Sequence, residues 1–280
     1  MSTTTTTTTA TSAPALATEP VEIAAETFLI PHLVPAEPGT YLSVNSMVIR
    51  ADEPVIVDTG APIHRETWLE KVFSLVEPED VRWLFLSHDD GDHRGSLQAV
   101  LERCPNATLV TNFFSVERIL LEEDLPIDRM IWRQPGESFS AGDRELHLVR
   151  PPIFDGPTTR GLYDPTTGAL WAVDSFVSLT TGTSPWVEDV PEPLYDETMR
   201  VFNSMVSPWH AWLDPVRYGA HVRSVQALKP RVVASAHGPV HTGAATIDDA
   251  FARVAALAGQ PISPGPGQEA LDAMLAASMS

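Results

Sequence analysis

Thiols and positive charge are both scarce in this chain of 280 residues, which carries one cysteine, Cys104, and 18 Lys and Arg against 37 Asp and Glu. A single thiol excludes an intramolecular disulfide and any zinc or iron–sulfur site built from several cysteines. The shortage of basic residues leaves a formal net charge of −19 and a pI near 4.7. No cluster of Lys or Arg exists to hold a phosphate backbone or an anionic bilayer, so nucleic acid and membrane surfaces are excluded as partners. Long apolar runs are missing too: nothing approaches the roughly 18–20 residues of a membrane span. Residues 2–20 lack Lys and Arg and have no apolar core segment, so they do not read as a secretory signal. Together these point to a cytoplasmic protein. What remains is ordinary for a globular chain, with 43 % apolar and 20 % charged residues, and general disorder is not expected.

Composition divides the chain into three parts. Residues 1–22, rich in Thr, Ala and Pro, read as a disordered lead. Residues 23–258 read as one domain without internal repeats. From Gly259 a Pro/Gly break leads into a short helical tail, 259–280. Within the domain, strands are expected at 41–49, 55–57, 83–86, 107–110, 145–149, 170–173 and 232–234. Helices are expected at 64–75 and 97–101, with another around Trp209–Leu213. The run WLFL at 83–86 is apolar throughout, as in a strand buried on both faces. Strands alternating with helices, and polar residues gathered at strand ends, indicate an α/β layered fold.

The segment Ser87–Gly95, SHDDGDHRG, follows that buried strand directly. It packs two histidines and three aspartates into nine residues. Without a compensating cation such crowding of like charge is costly, so the segment predicts a bound cation; a solvated acidic loop is the plainer alternative. Other strand ends carry the same residue types. Asp155 follows VRPPIF, Asp174 follows LWAV and His237 follows VVASA. A lone His or Asp at a strand end is usually structural, but several at the rim where α/β folds place their sites argue for a common centre.

Four segments, IVDTG at 56–60, SHDDGDH at 87–93, AVDSF at 172–176 and SAHGP at 235–239, resemble the metallo-β-lactamase fold superfamily. The family's usual His-x-His-x-Asp-His becomes His-x-Asp-x-Asp-His here, with Asp90 in place of the second histidine. A carboxylate there is similar to the di-iron branch, the flavodiiron proteins and their stand-alone oxygen-binding relatives, which carry Glu. SVNSMVI at 43–49 and NATLVTN at 106–112 extend the likeness, which spans roughly residues 28–243. The resemblance implies a four-layer αββα fold, two mixed sheets between helices. It implies one metal held by His88, Asp90 and Asp155, a second by Asp92, His93 and His237, and Asp174 bridging them. Asp155 stands where the branch has a histidine, and it either binds as a carboxylate or swings away and leaves that position weak. Asp58 of the DTG turn is expected to support the metal-bearing loop by hydrogen bonds. Asp89 either faces outward or acts on a bound water. His32 is a weak pocket candidate; His147 and the Trp209–His210 pair read as structural, and His221 and His241 have no motif.

Three imidazoles and four carboxylates make an oxygen-rich set suited to iron first, with manganese or zinc as alternatives. Four carboxylates balance two divalent ions. Added negative charge also predicts a lowered metal reduction potential. Two function classes follow, with a third behind them. The resemblance implies a non-haem di-iron centre that binds or reduces dioxygen, nitric oxide or peroxide. No Gly-rich phosphate loop leads a flavodoxin-like region, so no FMN site is expected and electrons would come from a separate donor protein. The second class is a metallo-hydrolase of an ester, thioester, amide or phosphoester, using a metal-bridging water. A degenerate binding module is the third. Residues 176–215 are expected to wall the pocket for a small-molecule ligand or substrate, and a homodimer is possible.

Overall fold

The structure, a computed structural model, describes residues 16–278. In chain order the strands begin with β1 (Leu16–Ala17), β2 (Val21–Ala24), β3 (Thr27–Ile30), β4 (His32–Pro35), β5 (Tyr41–Ser43), β6 (Ser46–Ile49), β7 (Val55–Val57) and β8 (Trp83–Phe85). They continue with β9 (Thr108–Thr111), β10 (Met130–Trp132), β11 (Ser138–Ser140), β12 (Glu145–Val149), β13 (Gly161–Asp164), β14 (Ala169–Trp171), β15 (Val232–Ala234) and β16 (His241–Thr242). The helices are α1 (Arg65–Phe73), α2 (Leu97–Arg103), α3 (Phe113–Ile119), α4 (Glu192–Val206), α5 (Pro215–Gln226), α6 (Ala244–Ala255) and α7 (Gln268–Ser278).

Seven strands form one sheet in the order β10-β9-β8-β7-β6-β3-β2, and six form a second in the order β11-β12-β13-β14-β15-β16. The first sheet is parallel from β10 to β7 and antiparallel beyond. The second is antiparallel except where β14 meets β15. Side-chain alternation builds the layers. Val55 and Val57 join Leu146, Leu148, Trp171, Val232 and Ala234 in a core between the sheets, while Ile56 points the other way. On that outer face Ile56, Val48 and Leu84 pack against Trp68 and Val72 of α1 and Leu97 and Val100 of α2. Leu170 and Val233 leave the second sheet on its outer face and meet Tyr195 and Met199 of α4, Val222 of α5 and Phe251 of α6. The result is the expected four-layer αββα sandwich, with the central strands β7, β8, β14 and β15 apolar on both faces.

Several local expectations shift. The strand expected over 41–49 is two strands, because Asn45 turns across to the second sheet. Its N–H bonds the Ala236 carbonyl at 2.8 Å and its amide bonds those of Ser235 and Gly238 at 2.8 and 3.1 Å. The segment expected as a helix at 209–213 is a 3₁₀ turn, Pro208–Trp212. Residues 1–15 of the expected lead lie outside the described residues, and from Leu16 the backbone is already paired with β4. Beyond the break after Gly259 the chain forms α7. Among the described residues no helix is long and apolar enough to cross a membrane.

Candidate metal centre

Strand ends converge at one rim of the sandwich. β7 runs into Asp58-Thr59-Gly60, β8 into Ser87–Gly95, β14 into Asp174 and β15 into His237. Two glycines permit the close approach this requires. A Cβ on Gly95 would lie 2.4 Å from the Gly60 carbonyl oxygen, and one on Gly238 would lie 2.5 Å from that of Phe176. Either contact is sterically forbidden, so only glycine lets these turns touch.

The ligand-type side chains fall into groups whose donor atoms all lie within 4.8 Å of one another: His88 with Asp90 and Asp155, Asp92 with His93 and His237, and His88 with His93 and Asp174. Asp174 lies between the first two. Its Oδ2 is 3.3 Å from His88 Nε2, and its Oδ1 is 3.2 Å from His93 Nε2 and 3.5 Å from His237 Nε2. On one side His88 Nε2 has Asp90 at 3.7 Å and Asp155 at 3.9 Å. On the other, His237 Nε2 has Asp92 Oδ2 at 3.1 Å.

Each imidazole is anchored through Nδ1, leaving Nε2 directed inward. His237 Nδ1 donates to the Ser43 carbonyl at 2.8 Å, and His93 Nδ1 donates to Asp58 Oδ2 at 3.0 Å. Asp58 also accepts from the Ser87 N–H and hydroxyl, each at 2.7 Å, and from the Trp171 indole at 3.0 Å. With its proton given to Asp58, the Ser87 oxygen accepts from His88 Nδ1 at 3.1 Å. Carbonyl and carboxylate oxygens can only accept, so these partners set the tautomer that presents an Nε2 lone pair to the centre. The anchoring carries backbone strain. Asp58 has φ +56°, and Val173 and Phe176, on either side of Asp174, have φ +56° and +65°. A β-branched residue in the left-handed region is a rare conformation, and here it aims the turn bearing Asp174.

Inward-facing polar atoms make ion-pair contacts but no hydrogen bonds. His88 Nε2, His93 Nε2 and Asp174 Oδ1 are buried and make no hydrogen bond among the described residues. Orphans of this kind are costly, and three at one point fit a group that accepts lone pairs. The electrostatics agree. Burial depresses the imidazoles, yet Asp174 and Asp90 overcome it and lift His88 to about 10. His93 lies well above its ordinary value, against burial, through Asp174 and Asp58, and His237 is raised against burial by Asp92 and Asp174. Burial would raise Asp174, but His88 and His93 hold it well below the carboxylate range; His237 and His93 likewise lower Asp92 against burial, and His88 lowers Asp90. Carboxylates that draw protons onto neighbouring imidazoles draw a divalent cation for the same reason. The donor set fits metal, and its groups match the expected sets: His88, Asp90 and Asp155 for one ion, Asp92, His93 and His237 for the other.

A cavity of about 430 Å³ opens over these residues, walled by Leu42, Val177, Phe202, Met205 and Val206. Four of those five come from the expected 176–215 segment; Leu42 does not. Asp89 points away from the centre without facing outward: it is buried, taking bonds from Ser115 Oγ at 3.3 Å and Arg118 at 3.2 Å. His32 lies outside the ligand groups, stacked on His64 at 4.7 Å. His210 is a packing residue, bonded to Ser204 and the Leu257 carbonyl, each at 2.8 Å. Sequence reasoning missed Ser87 and Trp171 as partners of Asp58, although Ser87 adjoins the motif. It also missed the Ser43 carbonyl, which leaves no residue-type signal.

Comparison with known proteins bears on the family and the fold. The family described as ODP family beta lactamase matches residues 42–238. Diflavin flavoprotein A 1 of Synechocystis sp. strain PCC 6803 is 25 % identical over 205 residues, covering 70 % of this chain and 33 % of that protein. The anaerobic nitric oxide reductase flavorubredoxin of Vibrio vulnificus is 21 % identical over 202 residues, covering 71 % and 40 %. The chain therefore spans a third to two-fifths of these relatives' length. Rubredoxin oxygen:oxidoreductase from Desulfovibrio gigas superposes with a TM-score of 0.74 at 17 % identity, over 86 % of this chain and 62 % of that one. This chain belongs to the ODP beta-lactamase family, and its fold is similar to that of solved flavodiiron proteins.

Proposed function

We propose that the protein holds a non-haem di-iron centre that binds or reduces a small ligand, dioxygen, nitric oxide or peroxide, with electrons from a separate donor. His88, Asp90 and Asp155 would hold one ion and Asp92, His93 and His237 the other, with Asp174 lying between the two groups. Iron supplies the one-electron redox changes that reduction of such ligands requires. The four carboxylates balance two divalent charges, and the three imidazoles, anchored through Nδ1, hold their Nε2 lone pairs inward. The names of the relatives, an oxygen oxidoreductase and a nitric oxide reductase, support the choice of ligand.

The cavity wall argues against an anionic substrate. Apart from Asp90, Asp92, Asp155, Asp174 and His237, the cavity is lined by Leu42, Val177, Phe202, Met205 and Val206, with no Lys or Arg among them. A phosphoester or other anionic substrate would meet carboxylates below and hydrocarbon above, with no cationic side chain to orient it. A small uncharged molecule is at ease against such walls. The test is metal analysis of protein produced without added metal, followed by electrode measurement of dioxygen and nitric oxide uptake by the chemically reduced protein. About two irons per chain with uptake of either gas is the expected result. Zinc alone, with turnover of a chromogenic ester and no gas uptake, would overturn it.

A further inference from the structure

Asp155 is the position at which this chain departs from the histidine of the branch it resembles, and its side chain is held in a specific way. The Thr159 hydroxyl donates to Asp155 Oδ1 at 2.6 Å, while Oδ2 is the oxygen turned to His88 Nε2. Thr159 is itself fully buried. The loop around it is gripped by two guanidiniums. Arg150 Nη1 donates to the Thr159 carbonyl at 2.7 Å, and Arg160 Nη1 donates to the Pro157 carbonyl at 2.8 Å and to that of Thr159 at 3.3 Å. Among the described residues neither arginine has a carboxylate at ion-pair distance, so their charge is directed at the loop's carbonyls. The loop is also tied to the metal-bearing turn and to the start of α3. The Arg160 N–H bonds the Ser87 carbonyl at 2.9 Å, and the Asn112 amide bonds the Thr158 carbonyl at 3.0 Å.

An aspartate reaches less far than a histidine and rotates freely about its last bond, so it holds an ion well only when something fixes that rotation. We propose that Thr159 is the positioning residue for the first metal position: its hydroxyl engages Asp155 Oδ1, leaves Oδ2 as the single oxygen for the ion, and so keeps the His88–Asp90–Asp155 position competent. Arg150 and Arg160 hold the backbone that presents that hydroxyl. This rests on the two-metal reading above.

The test is titration of the metal-free full chain with Co²⁺, followed by visible absorption and calorimetry. Wild type is expected to take two equivalents. Thr159→Val, close in shape but without the hydroxyl, and Thr159→Ala should keep one equivalent and bind the other about 10- to 100-fold more weakly, the usual effect of losing a group that orients a ligand. Thr159→Ser restores the hydroxyl and should restore both equivalents. Asp155→Asn combined with Thr159→Val should be no worse than Asp155→Asn alone, because the hydroxyl acts only through that carboxylate. Metal-free Thr159→Val should stay folded with no more than the small fall in melting temperature that loss of one hydrogen bond brings, whereas a merely structural role would weaken both equivalents alike. Two equivalents at wild-type affinity in Thr159→Val and Thr159→Ala, or a loss shared by both equivalents, overturns the assignment alone. Wild-type protein that binds fewer than two equivalents overturns the two-metal reading and this assignment with it.

Discussion

Replacing Asp58 by asparagine exchanges one oxygen for an amide nitrogen at a fully buried position where four donors converge. Three of them, the Ser87 hydroxyl, the His93 Nδ1–H and the Trp171 indole N–H, face Oδ2, and the Ser87 N–H faces Oδ1. With the new NH₂ in the Oδ2 position, donors meet donors. The Ser87 hydroxyl can rotate and accept. His93 can also accept, but only by moving its proton from Nδ1 to Nε2, the nitrogen turned to Asp174. The Trp171 indole has no such option. Turning the amide over rescues those three and strands the Ser87 N–H instead. Either way at least one buried donor is unpaired, at about 1–3 kcal/mol, and the remaining bonds lose their charge assistance. A total of about 3 kcal/mol corresponds to a fall of about 6–12 °C in melting temperature for a domain of this size. Metal binding should suffer separately, because a His93 protonated on Nε2 cannot ligate; a loss of about 10- to 100-fold at the Asp92–His93–His237 position is expected. Thermal melts of the metal-free protein and metal titration of the same samples read the two effects independently. An Asp58→Asn variant that melts with the wild type and binds metal as tightly would refute the claim that Asp58 sets both the packing and the tautomer.

Three further outcomes follow from the same geometry. Asp174→Asn removes the carboxylate charge that faces all three inward nitrogens, so metal content should drop from about two ions to below about one per chain; elemental analysis at two ions would disprove the bridging role. His88, His93 and His237 are all raised before metal enters, so ions must displace protons. Loading at pH 7 should release about two to three protons, and affinity should weaken as pH falls; an indicator dye that registers no release would count against it. His241 runs the other way. Burial lowers it from 6.5 to about 4, so its neutral form stabilises the fold above pH 6.5, and that contribution drains away as pH falls toward 4. The full loss is about 3 kcal/mol. A wild type whose urea midpoint falls no more steeply than that of His241→Gln between pH 7 and pH 4.5 would contradict this.

How much of this centre could be read from residues alone depends on the kind of contact involved. Each expected ligand sits at or just beyond the end of an apolar run, and the rim of an α/β sandwich gathers such ends, so position along the strand already implied proximity. The layers were legible for a similar reason: Val55, Ile56 and Val57 are all apolar, and a strand with that pattern must be covered on both faces. Orientation is another matter. Trp171 reads as one more core residue, because alternation tells which face it occupies but not that its indole nitrogen meets a carboxylate 113 residues away. His237 is fixed by a backbone carbonyl at Ser43, an acceptor that every residue type provides equally. The short strands at 27–30, 32–35 and 161–164 carried too few residues for a period to show.

Asp155 marks the boundary between what residue types convey and what only conformation can. Its chemistry was visible as a carboxylate in place of an imidazole, and that left two outcomes, a ligand or a side chain turned away. Which one holds depends on the path of a loop with prolines at 151, 152 and 157, and nothing in residue type specifies that path. The loop brings Thr159 round to within 2.6 Å of one oxygen and leaves the other facing His88. On the proposed assignment, a substitution that shortens a ligand would be tolerated because a neighbour removes the rotational freedom that shortening exposes. Competence at this position would then belong to the pair Asp155–Thr159, and a motif confined to ligand residues would be blind to half of it.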